Sequence, residues 1–161
     1  MTTRTLHVRP GAVEVAGSDT TLSTLGLGSC VAVAIHEPER GIGALCHALL
    51  PEPIPGHRDG PTGRFASHAV PALVEKLEAA GAMRSRLRAW IIGGATMFPM
   101  LVGSQESIGT RNVRAARAAL EALGIPVVAE DVGGSYGRSV YFAVGDGTIE
   151  VRSVHQRKVI T

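Results

Sequence analysis

Residues 31–35 read Val-Ala-Val-Ala-Ile, apolar at every position rather than at every second one. A strand with that composition has two apolar faces, so it belongs at the centre of a fold, covered above and below. The run stops at Glu37-Pro38, and the same apolar character resumes across 41–50. Glu37-Pro38-Glu39-Arg40 is therefore expected to turn a central hairpin. In the second arm Cys46 and His47 are adjacent. Successive side chains of a strand point to opposite faces, so if His47 faces a site, Cys46 packs against the opposite layer.

Around this hairpin, shorter segments read as strands at 13–16, 20–25, 87–92, 126–130, 139–144 and 148–154. Gly133-Gly134 and Gly145-Asp146-Gly147 turn between the last three. Phe65, Ala69, Leu73, Leu77 and Ala80 recur at helical spacing and stop at Gly81. A second helix is predicted over 109–123, with Ile108, Val113, Ala116, Leu120 and Leu123 inward and Gly124 as its stop. Residues 51–63, with four prolines and three glycines, form a loop. Two helices against seven or eight strands predict an α/β (α+β) fold, a mixed β-sheet with helices packed on it. At 161 residues the chain, 1–161, is expected to be a single domain.

Composition excludes several function classes. A net charge of +2 and 4% aromatic residues give no electrostatic or stacking case for nucleic acid. Six histidines and two cysteines are present, but neither Cys-x-x-Cys nor His-x-x-x-His occurs, so no metal is expected. The glycine-rich segment at 26–31 is neither a P-loop nor a dinucleotide fingerprint, and no cofactor is implied. The first residues lack the apolar core of a signal peptide, and no run reaches membrane-spanning length. The expectation is a cytoplasmic protein without membrane insertion, whose two cysteines are free thiols.

The chemistry concentrates at Thr24-Leu25-Gly26-Leu27-Gly28-Ser29-Cys30. Burial as a small hydrophobe is the ordinary fate of a lone cysteine. Gly26 and Gly28 argue otherwise, because they weaken a strand unless the backbone must turn or lie open. The backbone N–H groups around Gly28, Ser29 and Cys30 are candidates for an oxyanion hole. His47, set among Leu45, Ala48 and Leu49, is either a hydrogen-bonded core histidine or the proton carrier for Cys30. Thr24 is either an ordinary strand residue or the group that orients that imidazole.

These residues resemble the CheD family, chemoreceptor glutamine deamidases of bacterial and archaeal chemotaxis. The resemblance rests on 24–33 and on Gly43-Ala44-Leu45-Cys46-His47-Ala48-Leu49-Leu50-Pro51. It extends to Gly63-Arg64-Phe65-Ala66, Ile92-Gly93-Gly94-Ala95-Thr96-Met97-Phe98, Ile108-Gly109-Thr110-Arg111-Asn112-Val113, Ala129-Glu130-Asp131-Val132-Gly133-Gly134 and Gly137-Arg138-Ser139-Val140. It covers about 13–154 in order. It implies a three-layer sandwich similar to the deamidase domain of cytotoxic necrotizing factor-type toxins. It also implies a triad of Cys30, His47 and Thr24, acting on glutamines of methyl-accepting chemotaxis receptors. The family resemblance also permits, as alternatives, a receptor methylesterase activity or a regulatory role beside a CheC-type phosphatase of phosphorylated CheY. The chain departs from the family pattern at Phe65 and Ser67, where relatives often have tyrosine and aspartate, and in the loop 52–61 with His57.

Overall fold

The hairpin organises everything else. β4 (Val31–Glu37) and β5 (Ile42–Ala48) pair antiparallel from Val31↔Ala48 to Glu37↔Ile42, and every residue of β4 is buried. The computed structural model describes residues 4–55, 60–99 and 105–160. Among them, β2 (Val13–Ala16) flanks β5, while β6 (Arg88–Gly93) and β7 (Val127–Val132) extend the sheet beyond β4 in the order β2-β5-β4-β6-β7. Within this sheet, among the described residues, only the β6–β7 pairing is parallel.

One face of this sheet carries both helices, α1 (Ala66–Ala79) and α2 (Ile108–Ala122). Leu73, Leu77, Val113 and Leu120 pack there on Val31, Val33, Ile35, Cys46 and Ile91. The other face presents Ala32, Ala34, Leu45, Trp90 and Ile92 to a second sheet, which contributes Leu22, Leu27, Val140, Phe142, Ile149 and Val151. That sheet consists of β1 (Arg4–His7), β3 (Thr20–Leu27), β8 (Arg138–Ala143), β9 (Thr148–Arg152) and β10 (Arg157–Ile160) in the order β1-β3-β8-β9-β10. The result is an α+β fold of three layers: helices, mixed sheet, mixed sheet. Burying each large apolar side chain in these two cores contributes about 1.5–3 kcal/mol.

The expectation of one mixed sheet is thereby corrected. β8 and β9 alternate buried and less buried residues, with one apolar face apiece, and β3 pairs with β8, so the three cover the hairpin instead of joining it. Two further strands, β1 and β10, edge the second sheet. Their polar sequences, Arg-Thr-Leu-His and Arg-Lys-Val-Ile, carry no strand pattern of their own. Ile108 and Ala80 turn outward rather than into the core. Within the expected loop 51–63, Thr62–Arg64 forms a 3-10 turn and Leu50 bridges Phe65. His57 lies outside the described residues. No helix among them is long and apolar enough to cross a membrane.

Candidate active site

β5 directs its two adjacent polarisable side chains as strand parity requires. Cys46 enters the core beneath the helices, where complete burial pushes its thiol up to about 12. It is a protonated, unreactive core residue at neutral pH. His47 points into the space between the two sheets and is only 1% exposed.

There Thr24 of β3 reaches it from the facing sheet. Thr24 Oγ1 lies 2.7 Å from His47 Nδ1 and 2.6 Å from the Val8 carbonyl oxygen. A hydroxyl has one proton, and a carbonyl can only accept. Thr24 therefore donates to Val8 and accepts the Nδ1–H of His47, which leaves Nε2 as the unprotonated nitrogen. Burial lowers the pKa of His47 below its ordinary value, so the ring is neutral at pH 7. Its backbone is held as well: the His47 carbonyl accepts from the Gly11 N–H at 2.7 Å, and the His47 N–H donates to the Ala12 carbonyl at 3.3 Å.

Just past Thr24, β3 carries a bulge. Pairing with β8 shifts between Thr24↔Val140 and Leu27↔Arg138, and Gly26 takes φ +67°, a conformation strained for residues with a side chain. The chain leaves this bulge toward Cys30. Cys30 packs against the core between the sheets, the layer into which His47 points. It stands two residues before Ala32, the direct partner of His47. Partial burial raises the Cys30 pKa, and its own backbone N–H beside the sulfur lowers it in part.

Three carbonyls of the cysteine loop are tied down. Gly28 accepts from the Ala95 N–H at 2.9 Å, Cys30 from the Gly94 N–H at 2.8 Å, and Ser29 from Asn112 Nδ2 at 2.8 Å. In a trans peptide the C=O and the following N–H point opposite ways, so the Ser29 and Cys30 N–H groups are turned away from Ala95 and Asn112.

Thr24, Cys30 and His47 thus share the layer between the sheets, with Thr24 and His47 in direct contact and Gly28 and Ser29 in the loop before the thiol. Asn112 was not among the residues singled out for chemistry. The signal available for it is a polar residue on the helix face formed by Gly109, Val113, Ala116 and Leu120. Among the described residues, no group of three or more His, Cys, Asp or Glu could hold a metal ion.

A family model described as CheD chemotactic sensory transduction matches residues 49–153, a stretch beginning two positions after His47. The probable chemoreceptor glutamine deamidase CheD 2 of Geobacter metallireducens is 48% identical over 145 residues, covering 89% of this chain and 90% of that one. The probable chemoreceptor glutamine deamidase CheD of Pyrococcus abyssi is 38% identical over 159 residues, covering 98% and 97%. Of solved structures, the Bacillus licheniformis hypothetical protein YfiH has a TM-score of 0.45 at 13% identity. It covers 70% of this chain, which spans only 46% of its length. With a family model matching more than half of the chain and two relatives aligned over most of theirs, the chain belongs to the CheD family.

Proposed function

We propose that this protein hydrolyses the side-chain amide of selected chemoreceptor glutamines to glutamate and ammonia, the activity for which its relatives are named. The observation that carries the reading is the Val8–Thr24–His47 chain of hydrogen bonds, which presents a neutral imidazole in the layer shared with Cys30. His47 Nε2 takes the thiol proton as Cys30 Sγ attacks the carboxamide carbon. The Ser29 and Cys30 N–H groups receive the oxyanion, with Gly28 in the loop just before them. His47 returns the proton to the nitrogen, ammonia leaves, and a thioester remains. Water then gives a proton to His47 and its oxygen to the acyl carbon, releasing glutamate and the thiol.

Both helices and all ten described strands contribute residues to the two cores that share the hairpin sheet, which supports reading 1–161 as one domain. The helix–sheet–sheet layering supports the likeness to the toxin deamidase domain that the family resemblance implies. Both cysteines are free, which fits a reducing cytoplasm, where the receptor helices are exposed.

The test is conversion of glutamine to glutamate in an isolated receptor cytoplasmic fragment, read by mass spectrometry. Cys30→Ala and His47→Ala are expected to lose several orders of magnitude in rate, while Cys46→Ala keeps it. Equal conversion by Cys30→Ala and the native protein would sink the thiol mechanism. Methanol rather than ammonia release would point to the methylesterase, and chemotaxis restored by Cys30→Ala to a binding role beside a CheC-type phosphatase.

A further inference from the structure

Asn112 sits on the buried face of α2 with no exposed surface. Its side-chain nitrogen donates one proton to the Ser29 carbonyl at 2.8 Å and the other to the Leu49 carbonyl at 3.0 Å. Ser29 immediately precedes Cys30, and Leu49 stands two residues beyond His47. The β4–β5 ladder ends at Val31↔Ala48, where Leu49 departs to pair its N–H with the Arg64 carbonyl at 2.9 Å. Asn112 therefore bridges the two strands where their own pairing has stopped.

The same side chain leaves Oδ1 buried, with no partner among the described residues. A buried acceptor without a partner is costly, and a leucine would fill the place without one. What the asparagine contributes lies in its two donated bonds.

We propose that Asn112 is a positioning residue that sets the separation of Cys30 from His47 by clamping the Ser29 and Leu49 carbonyls. It touches no substrate and acts through the two segments it joins. This rests on Cys30 as nucleophile and His47 as base. A misplacement of about 1 Å between reacting groups costs about 100-fold in rate.

Two variants test it. Asn112→Asp keeps the volume but sets oxygen against both carbonyls, and Asn112→Ala removes the bridge. Both are expected to lower kcat for the receptor fragment about 100-fold with KM within about threefold of native. Leu120→Ala, farther along the same buried face, controls for lost stability. Assayed below its unfolding temperature, it keeps the native kcat. Native kcat in Asn112→Ala, or an equal loss in Leu120→Ala, would overturn the clamp.

A second measurement needs no substrate: alkylation of Cys30 by iodoacetamide at neutral pH, with and without His47→Ala. Removing His47 is expected to slow alkylation in the native background and to change it little in the Asn112→Ala background. The same slowing in both backgrounds overturns the inference alone. If the native protein releases no ammonia, the deamidase reading falls and this comparison still decides the clamp. If His47→Ala leaves alkylation unchanged in the native background, Cys30 and His47 are not coupled, and the clamp falls with the site.

Discussion

Thr24 orients His47 without supplying charge. In a serine-protease triad a carboxylate stabilises the imidazolium formed during reaction. Here the group behind the hydroxyl is the neutral Val8 carbonyl. Among the described residues no anion raises the basicity of the ring; burial lowers it, and burial also raises the Cys30 thiol. Both directions favour a resting thiol beside a neutral imidazole over a thiolate–imidazolium pair. Thr24 then matters for the tautomer. Thr24→Val has nearly the same shape but orphans the Val8 carbonyl and the Nδ1–H, and it frees the ring to place its proton on Nε2. The expected loss in kcat is about 10- to 100-fold, with stability lowered by about 1–3 kcal/mol. Thr24→Ser keeps the hydroxyl and most of the rate. Initial rates of ammonia release for the three proteins check this, and native kcat in Thr24→Val would remove Thr24 from the mechanism.

At the scale of elements, the cysteine loop is held by the start of α2 and by the turn that ends β6. Gly94, at φ +63°, and Ala95 give their N–H groups to the loop. Thr96 Oγ1 donates at 2.9 Å to Ser107 Oγ, the N-cap of α2, which in turn accepts the Thr110 N–H at 3.1 Å. Helix and turn touch at Gly109, where an added Cβ would stand 2.3 Å from the Ala95 carbonyl oxygen and 2.6 Å from Gly94 backbone atoms. Helix propensity alone favours alanine at this position by about 1 kcal/mol. The contact reverses the sign, since both neighbours are backbone and cannot swing aside. Gly109→Ala is expected to lose about 1–3 kcal/mol and to lower the deamidation rate as the turn pulls on the Gly28 and Cys30 carbonyls. Thermal unfolding decides between the two, and an unchanged or raised Tm would refute the packing argument. The helix itself was legible in the sequence, because five apolar positions at helical spacing and a stop at Gly124 are local properties. The opposition of Cys46 and His47 was legible for the same reason, since it needs only the parity of one strand. Contact between Thr24 and His47 was implied by the family resemblance and not by any local pattern, because their strands lie in different sheets. Nothing in the residues of β3 says which layer their side chains meet. Asn112 was hidden for a related reason: its partners are main-chain carbonyls, and no side-chain pattern encodes them.

For the whole molecule, the covered hairpin puts two histidines out of water, one near each end. His36 of β4 is buried against Phe142, with Nε2 2.9 Å from the Val144 carbonyl and Nδ1 buried without a partner among the described residues. Desolvation lowers its pKa, as it does that of His47. In the unfolded chain both rings bind protons with ordinary affinity, near pH 6.5, whereas the native state resists protonation until lower pH. Below about pH 6.5 the unfolded state therefore holds more protons than the native one, and stability falls as pH falls. Each tenfold difference in proton affinity between the two states is worth about 1.4 kcal/mol per histidine. The carboxylates of Glu106, Glu130 and Glu150, held low by hydrogen bonds from Arg114, Arg117 and Arg152, act in a separate window. Their contribution is lost only as pH drops through and below the ordinary carboxylate range. Urea unfolding between about pH 7.5 and 5.5 isolates the histidines. The midpoint is expected to fall across that interval, and His36→Gln and His47→Gln should each remove part of the slope. A midpoint that stays level or rises on acidification would mean that the buried rings accept protons as readily as the unfolded chain does. Desolvation would then contribute nothing to keeping the His47 imidazole neutral.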